Sequence, residues 1–305
     1  MLKKTLITVM LIAVAAQTAF SAGAGKCGWS VLRKANSAKF KAIAVTPVAA
    51  VRGDLSGVFY NPSVLALNET REMFFLSEAG LAKDVFGGAL YGHPMKDACF
   101  AVGFLYYDAG SIELNWIDAT TGELTSDTVS AQKDLLGIVS YGRKVKDDLA
   151  LGATIKAASS SLFEKASALA AAVDIGCLWA PPVENLSVTA AIQNLGASTK
   201  FVAASNPLPF SACVGAAYYM KVSDKYYVSP GLDITYLFGE TRTVPELGAE
   251  IGTDPVSVNI GYRFSDSSNW HFGFTFLKDK YDIAYAFLPS LTVSSTHRLS
   301  IGLRF

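Results

Sequence analysis

The feature that most restricts this chain is a strict period of two in its apolar residues, kept up over eight or nine positions at a time. Val256, Val258, Ile260, Tyr262 and Phe264 share one face, and Ser257, Asn259, Gly261 and Arg263 the other. Trp270, Phe272, Phe274 and Phe276 alternate with His271, Gly273 and Thr275. Tyr281, Ile283, Tyr285 and Phe287 alternate with Asp282, Ala284 and Ala286. The last residues repeat the pattern, with Leu299, Ile301, Leu303 and Phe305 against Arg298, Ser300, Gly302 and Arg304. Only a strand sends successive side chains to opposite faces, so these segments are strands rather than helices.

A soluble sandwich alternates too, and composition helps to separate the two. Hydrophobic residues make up 51% and charged residues only 17% of the chain, where a soluble globular protein carries about 25% charged residues. Yet beyond the first residues no window approaches the ~18 uninterrupted apolar residues of a membrane helix. Apolar composition without apolar runs is what a transmembrane barrel gives, because lipid-facing and lumen-facing residues alternate. Strands of nine to twelve residues, longer than the ~5–6 of globular proteins, and aromatics near strand ends (Tyr262, Phe264, Trp270, Tyr281, Phe287) point the same way.

Candidate strands fall near 72–79, 84–93, 98–108, 133–143, 147–158, 166–180, 186–195, 209–221, 225–237, 243–252, 256–264, 269–277, 280–288 and 296–305. That makes fourteen, an even number, as closure of a bacterial single-chain barrel requires. Short links such as Lys146-Asp147-Asp148, Ser223-Asp224, Thr253-Asp254-Pro255 and Lys278-Asp279 suit tight turns. The longer, acidic stretch 109–132 reads as an outer-surface loop with room for a further strand at Ile112 to Ile117, and 196–208 is a second, shorter loop. The expected fold is therefore all-β, a closed antiparallel transmembrane barrel of about 14 strands covering 67–305.

The N-terminus reads as a secretory signal over 1–21. Lys3 and Lys4 precede the apolar run Leu6 to Ala16, and Ala19-Phe20-Ser21 offers a cleavage site before Ala22. An apolar run that short does not span a bilayer as a helix, which needs about 20 residues. Lys26 before Cys27 makes a poor lipidation site. Without Lys3 and Lys4 the chain carries 24 basic and 26 acidic residues (26 − 2 = 24), too little positive charge for a nucleic-acid partner. Residues 22–66 do not alternate. Their basic stretch (Arg33, Lys34, Lys39, Lys41) and Gly53-to-Ser63 run suit a plug inside the lumen, a loose periplasmic arm being the alternative.

Chemistry-bearing patterns are scarce. Cys27, Cys99, Cys177 and Cys213 are too widely spaced for a metal or redox motif and read as single thiols. His93, His271 and His297 offer no metal-binding pair, and His297 reads as a hydrogen-bonded wall residue. No G-x-S-x-G elbow or Walker loop is present. The reading is of a protein that is not an enzyme and has neither cofactor nor metal.

Several short motifs, taken in order, resemble the PorV/PorQ-like proteins, relatives of the FadL long-chain fatty acid transporters. Tyr60-Asn61-Pro62-Ser63-Val64-Leu65-Ala66 is similar to their N-P-A-x-L-A element. Asp174-Ile175-Gly176, Ala191-Ile192-Gln193-Asn194-Leu195-Gly196 and Asn206-Pro207-Leu208-Pro209-Phe210 follow their D-x-G, Q-N-L-G and P-L-P run, and Ser295 to Phe305 their terminus. Ser63 where alanine is usual, and Lys39 to Val51 in place of a Gly-rich lead-in, are departures that bear on how the plug packs. The resemblance implies a FadL-like barrel in the bacterial outer membrane, its N-terminus in the lumen, gating passage of apolar molecules that leave sideways into the bilayer. In PorV relatives the same scaffold handles protein cargo.

Passage of hydrophobic, fatty-acid-like small molecules is the expected function, carried by small apolar inward positions (Ala153, Ala191, Ala284, Ala286, Gly273) that make a greasy lumen. A non-transporting secretion factor with a secretion-system protein as partner, and a general diffusion porin, are the alternatives. Asp54, Asn61 and Pro62 are assigned to the plug, Asp54 reaching a wall arginine. Arg263, Asp282, Arg298 and Arg304 are assigned to the lumen, where they form a pore constriction or hold the plug in ion pairs. Phe305 is assigned to recognition by the barrel assembly machinery. The other partners are outer-membrane lipid and a hydrophobic small molecule.

Overall fold

The structure is a computed structural model and describes residues 27–45, 54–80, 84–117, 119–202, 206–264, 270–289 and 295–305. The expected signal, 1–21, lies outside the described residues. β1 (Glu72–Ala79), β2 (Val85–Met95) and β3 (Ala98–Asp108) open the wall, and a hairpin of β4 (Ser111–Ile117) and β5 (Leu124–Ser130) follows. The wall resumes with β6 (Gln132–Lys146), β7 (Leu149–Leu162), β8 (Ala166–Trp179) and β9 (Leu186–Ser198). β10 (Ser211–Tyr218) breaks at Tyr219 and continues for two residues as β11 (Met220–Lys221). β12 (Tyr227–Leu237), β13 (Arg242–Thr253), β14 (Val256–Arg263), β15 (Trp270–Lys278), β16 (Tyr281–Leu288) and β17 (Thr296–Arg304) complete it.

Every wall strand pairs antiparallel with its neighbours, and the ring closes where Glu72 of β1 faces Arg304 of β17. With β10 and β11 counted as one interrupted strand, the barrel has 14. Closure leaves no wall strand with an unpaired edge, which hydrocarbon would penalise heavily. Both ends of the wall, Glu72 and Arg304, sit at the rim that carries the short links 96–97, 147–148, 254–255 and 279–280. The longer links 109–131 and 199–210 fall at the opposite rim. The 109–131 link holds the free-standing β4–β5 ribbon, whose second strand was not anticipated.

Burial follows the alternation. β6 switches between buried and exposed for most of its length, and outward residues such as Ile155, Leu169 and Val258 are more than half exposed. A continuous outward apolar band of this kind suits lipid and would be a liability in water. Among the described residues no helix is long and apolar enough to cross a membrane. One wall irregularity stands out, where the β8–β9 register shifts between Val173 and Ile175.

The segment before β1 folds into short pieces. These are α1 (Ser30–Lys34), α2 (Ala38–Ile43) and two 3-10 turns, Leu55–Phe59 and Pro62–Leu67. Caps explain the boundaries. The Ser37 side chain accepts the Phe40 N–H, Asp54 accepts that of Ser56, and Asn61 accepts that of Ser63 with Pro62 in the first helical position. Such short helices are not stable alone. They persist because Val31, Leu32, Phe40, Ile43, Leu55, Val58 and Leu65 are buried against the inward face of the wall.

Candidate functional site

The inner segment and the wall meet along two rows of small residues. Gly142, Gly152, Gly176 and Ala191 are register partners across β6 to β9. A side chain at Gly152 would come within 2.5 Å of the Pro62 carbonyl oxygen and the Ser63 nitrogen, and one at Gly142 within 2.6 Å of that oxygen. The Asn61-Pro62 backbone thus lies directly on the sheet. Asn61 completes the seat by donating to the carbonyls of Cys177 at 3.0 Å and Ala190 at 3.2 Å. Gly248 and Gly261 likewise lie under the Ile43 carbonyl, and Ala38 and Ala42 pack on Ala284 and Ala286.

Charge holds the same segment. Arg298, 2% exposed, is paired with Glu78 and donates to the main-chain carbonyls of Lys34 at 3.2 Å and Asn36 at 2.6 Å. Lys34 bridges Glu78 at 2.7 Å and Asp84 at 2.8 Å. Arg33 pairs with Glu240 at 3.1 Å and Lys39 with Glu250 at 3.4 Å. Burial works against the Lys39 ammonium, but Glu250, then Asp54 and Asp282, outweigh it and hold its pKa above the usual lysine value. Hydrogen bonds to the main chain of the segment add to these. Asp134 accepts the Val31 N–H, Gln193 donates to the Phe59 carbonyl at 2.8 Å, and His271 lies 2.7 Å from the Lys41 carbonyl.

Of the lumen residues named from sequence, Arg298 is at the centre of this network. Arg304 lies 3.4 Å from Glu72 and 3.5 Å from Asp282, and Arg263 lies 3.1 Å from Glu246. Among the described residues Asp54 does not reach across to an arginine. Its Oδ1 accepts the N–H and hydroxyl of Ser56, because a capping aspartate two residues before an unpaired N–H bonds it locally. The ion pairs from inner segment to wall run the other way, from basic residues of the segment to wall carboxylates. Phe305 is exposed, hydrogen-bonded through its N–H to the Arg71 carbonyl and stacked on Tyr91 at 6.5 Å.

Two expectations about the interior are corrected. Ala153 points outward, since its neighbours Gly152 and Thr154 occupy the inner face. The lumen is also not greasy throughout: Glu78, Asp134, Lys156, Asp174 and Glu250 are buried there, mostly in pairs. His297 faces outward, 2.6 Å from the Tyr285 hydroxyl. Lys156 and the role of Asp174 carry no signal in the sequence pattern. At the β8–β9 irregularity Asp174 accepts the Asn194 N–H at 2.7 Å, and Lys156 bridges Asp174 at 2.6 Å and Asn194 at 2.8 Å. A side-chain carboxylate so replaces a broken ladder bond, and the buried charge is matched.

Between the inner segment and β9, β10 and β12–β15 lies a cavity of about 170 Å³. Phe40, Phe59, Tyr60 and Phe210 supply apolar wall, with the Phe40 and Tyr60 rings edge to face at 5.5 Å. Asn36, Lys41, Gln193, Arg33 and Arg263 supply polar wall together with the carboxylates of Asp233, Glu240 and Glu246, of which Glu240 is paired with Arg33 and Glu246 with Arg263. Burial, then Arg263 and Arg298, lowers the Lys41 pKa to about 8. The four cysteines are free thiols, and no cluster of metal-ligating side chains occurs among the described residues.

No protein-family model and no curated protein matches the sequence. Solved structures do. The Ralstonia pickettii toluene transporter TbuX superposes with a TM-score of 0.58 over 87% of this chain and 100% of that one, at 13% identity. The Pseudomonas putida toluene transporter TodX gives 0.55 over 88% and 96%, at 12% identity. A Pseudomonas aeruginosa FadL homologue gives 0.52 over 88% and 98%, also at 12%. At such identity the likeness is one of fold, so the chain has the FadL-like barrel architecture.

Proposed function

We propose that this chain is a bacterial outer-membrane channel for hydrophobic small molecules, with residues 22–66 as its plug and Asn61 and Pro62 as the plug's seat. The observation that carries it is a closed FadL-like barrel filled by its own N-terminal segment, with an aromatic-walled cavity left beside that segment. The neighbours described as toluene transporters support the class of cargo. A general diffusion porin is disfavoured, because Arg263, Arg298 and Arg304 are each paired with carboxylates rather than ringing an open constriction. The secretion-factor reading draws its support from the β4–β5 ribbon, which stands outside the wall with Ile117 70% and Leu124 75% exposed.

The test is a reversible staple. Ala42 of α2 packs with Ala284 of β16, so an Ala42→Cys/Ala284→Cys protein, with the native cysteines replaced by serine, ties plug to wall when oxidised. Uptake of phenylnaphthylamine by cells making this protein is expected to stop on oxidation and return on reduction. Equal uptake in both states removes the plug's gating role. Phe305 is proposed as the assembly signal, and Phe305→Ala is expected to slow the appearance of folded, heat-modifiable barrel in pulse-chase labelling. An unchanged rate discards that assignment.

A further inference from the structure

Three polar groups on the inner segment have no hydrogen-bond or ion-pair partner among the described residues where the cavity lies. Arg33, Lys34 and Lys39 each meet a carboxylate, but among the described residues no ion pair reaches the Lys41 ammonium, and Glu246 nearby is 3.1 Å from Arg263. The Tyr60 hydroxyl and the Asn36 Oδ1 are both buried without a hydrogen-bond partner among the described residues, and Asn36 is only 8% exposed. All three residues line the same cavity. Arg298 bonds the Asn36 carbonyl and is among the charges felt by both Lys41 and Tyr60.

Buried polar groups are normally paired, and leaving one unpaired costs about 1–3 kcal/mol. A cluster of them facing one cavity therefore marks a place built for a polar group of something else. Two of the three groups, an ammonium and a phenol, are donors toward oxygen and the third, the Asn36 Oδ1, is an acceptor; the Phe40 and Phe59 side chains line the same cavity. Size narrows the occupant further. The cavity is about 170 Å³, and an apolar cavity of about 150 Å³ accommodates benzene. A single ring fits.

We infer that this cavity binds a one-ring aromatic acid, its ring between the aromatic side chains and its carboxylate on the Lys41 ammonium and Tyr60 hydroxyl. This rests on the channel reading above and narrows its cargo from hydrophobic molecules in general to benzoate-like ones. Lys41 is then the residue that selects an acid over the corresponding hydrocarbon. An apolar pocket alone separates two such rings poorly, whereas a charged hydrogen bond to one of them separates them well.

Equilibrium dialysis of the detergent-solubilised full-length protein against labelled benzoate, phenol and toluene tests this at neutral pH. Benzoate is expected to bind at one per chain and roughly ten- to a hundred-fold more tightly than toluene, with phenol between them. Lys41→Met is expected to collapse the benzoate-to-toluene ratio and Lys41→Arg to restore most of it, which separates loss of charge from a folding defect. Toluene binding as tightly as benzoate, or a ratio that survives in Lys41→Met, overturns the inference. If cells making the protein still take up labelled toluene faster than cells without it while benzoate fails to bind, the acid site alone is wrong. If uptake is absent as well, the channel reading falls with it.

Discussion

Arg298→Met is expected to release the α1 region from the wall while the barrel stays closed. The guanidinium is 2% exposed and serves Glu78 and two main-chain carbonyls of the inner segment at once. Methionine fills similar space and keeps a contact with the Phe86 ring, over which the guanidinium now lies at 5.1 Å. What disappears is charge and donors. Removing one partner of a buried ion pair costs about 3–5 kcal/mol, because the other charge stays buried. Lys34 still meets Glu78, so the lower end, about 3 kcal/mol, applies. The wall ladder of β17 runs through backbone pairs to β1 and β16 and does not need this side chain. Trypsin is therefore expected to cut at Lys34, Lys39 and Lys41 in the variant but not in the parent, with the heat-modifiable band of the barrel unchanged. Lys34→Met, whose side chain is 26% exposed, is expected to have a smaller effect. Continued protection of Arg298→Met shows that the α1 region is held by packing alone.

How much of this was legible in the sequence differs between wall and interior. The wall was legible because lipid and lumen impose opposite chemistry on alternate residues, and the β3 limits, Ala98–Asp108, were read to the residue. β5 was not, since Leu124–Ser130 is polar and has no sheet face to mark it. Ala153 was placed on the wrong face for a related reason: β7 is rich in small residues, and its true inner face is marked by Thr154 and Lys156. The interior depends on contacts between residues far apart in the chain, and no local pattern announces that Arg298 donates to the carbonyl of Lys34. One thread did cross that gap. The Tyr-Asn-Pro, Asp-x-Gly and Gln-Asn-Leu-Gly motifs meet in space, where Asn61 lies on Gly176, Gln193 bonds Phe59 and Asp174 bonds Asn194. Far apart in the chain, they belong to one joint between inner segment and wall.

That joint predicts the second large effect. Gly152→Ala is expected to unseat the Pro62–Leu67 turn, although it adds a single methyl group. The new carbon meets the Pro62 carbonyl and Ser63 nitrogen, all main-chain atoms that cannot rotate aside as a side chain does. Nor can the turn simply lift, since Asn61 is bonded to two carbonyls of the wall. Overpacking of a tight contact costs about 1–3 kcal/mol, and here the strain adds to any Asn61 bonds that break, each worth about 1 kcal/mol. Gly137→Ala is the matched control, on the neighbouring strand β6 with only the Ala157 carbonyl at 3.9 Å in its way. It is expected to shift stability by less than about 0.5 kcal/mol. Guanidinium unfolding in detergent, followed by tryptophan fluorescence, measures both, and phenylnaphthylamine uptake reports whether the unseated turn lets the probe through. A Gly152→Ala protein as stable as Gly137→Ala means that the Asn61-Pro62 segment does not lie on the sheet as described. A protein that is destabilised but no leakier means that this turn anchors the plug without forming part of the barrier, which leaves the α2 side as the gate.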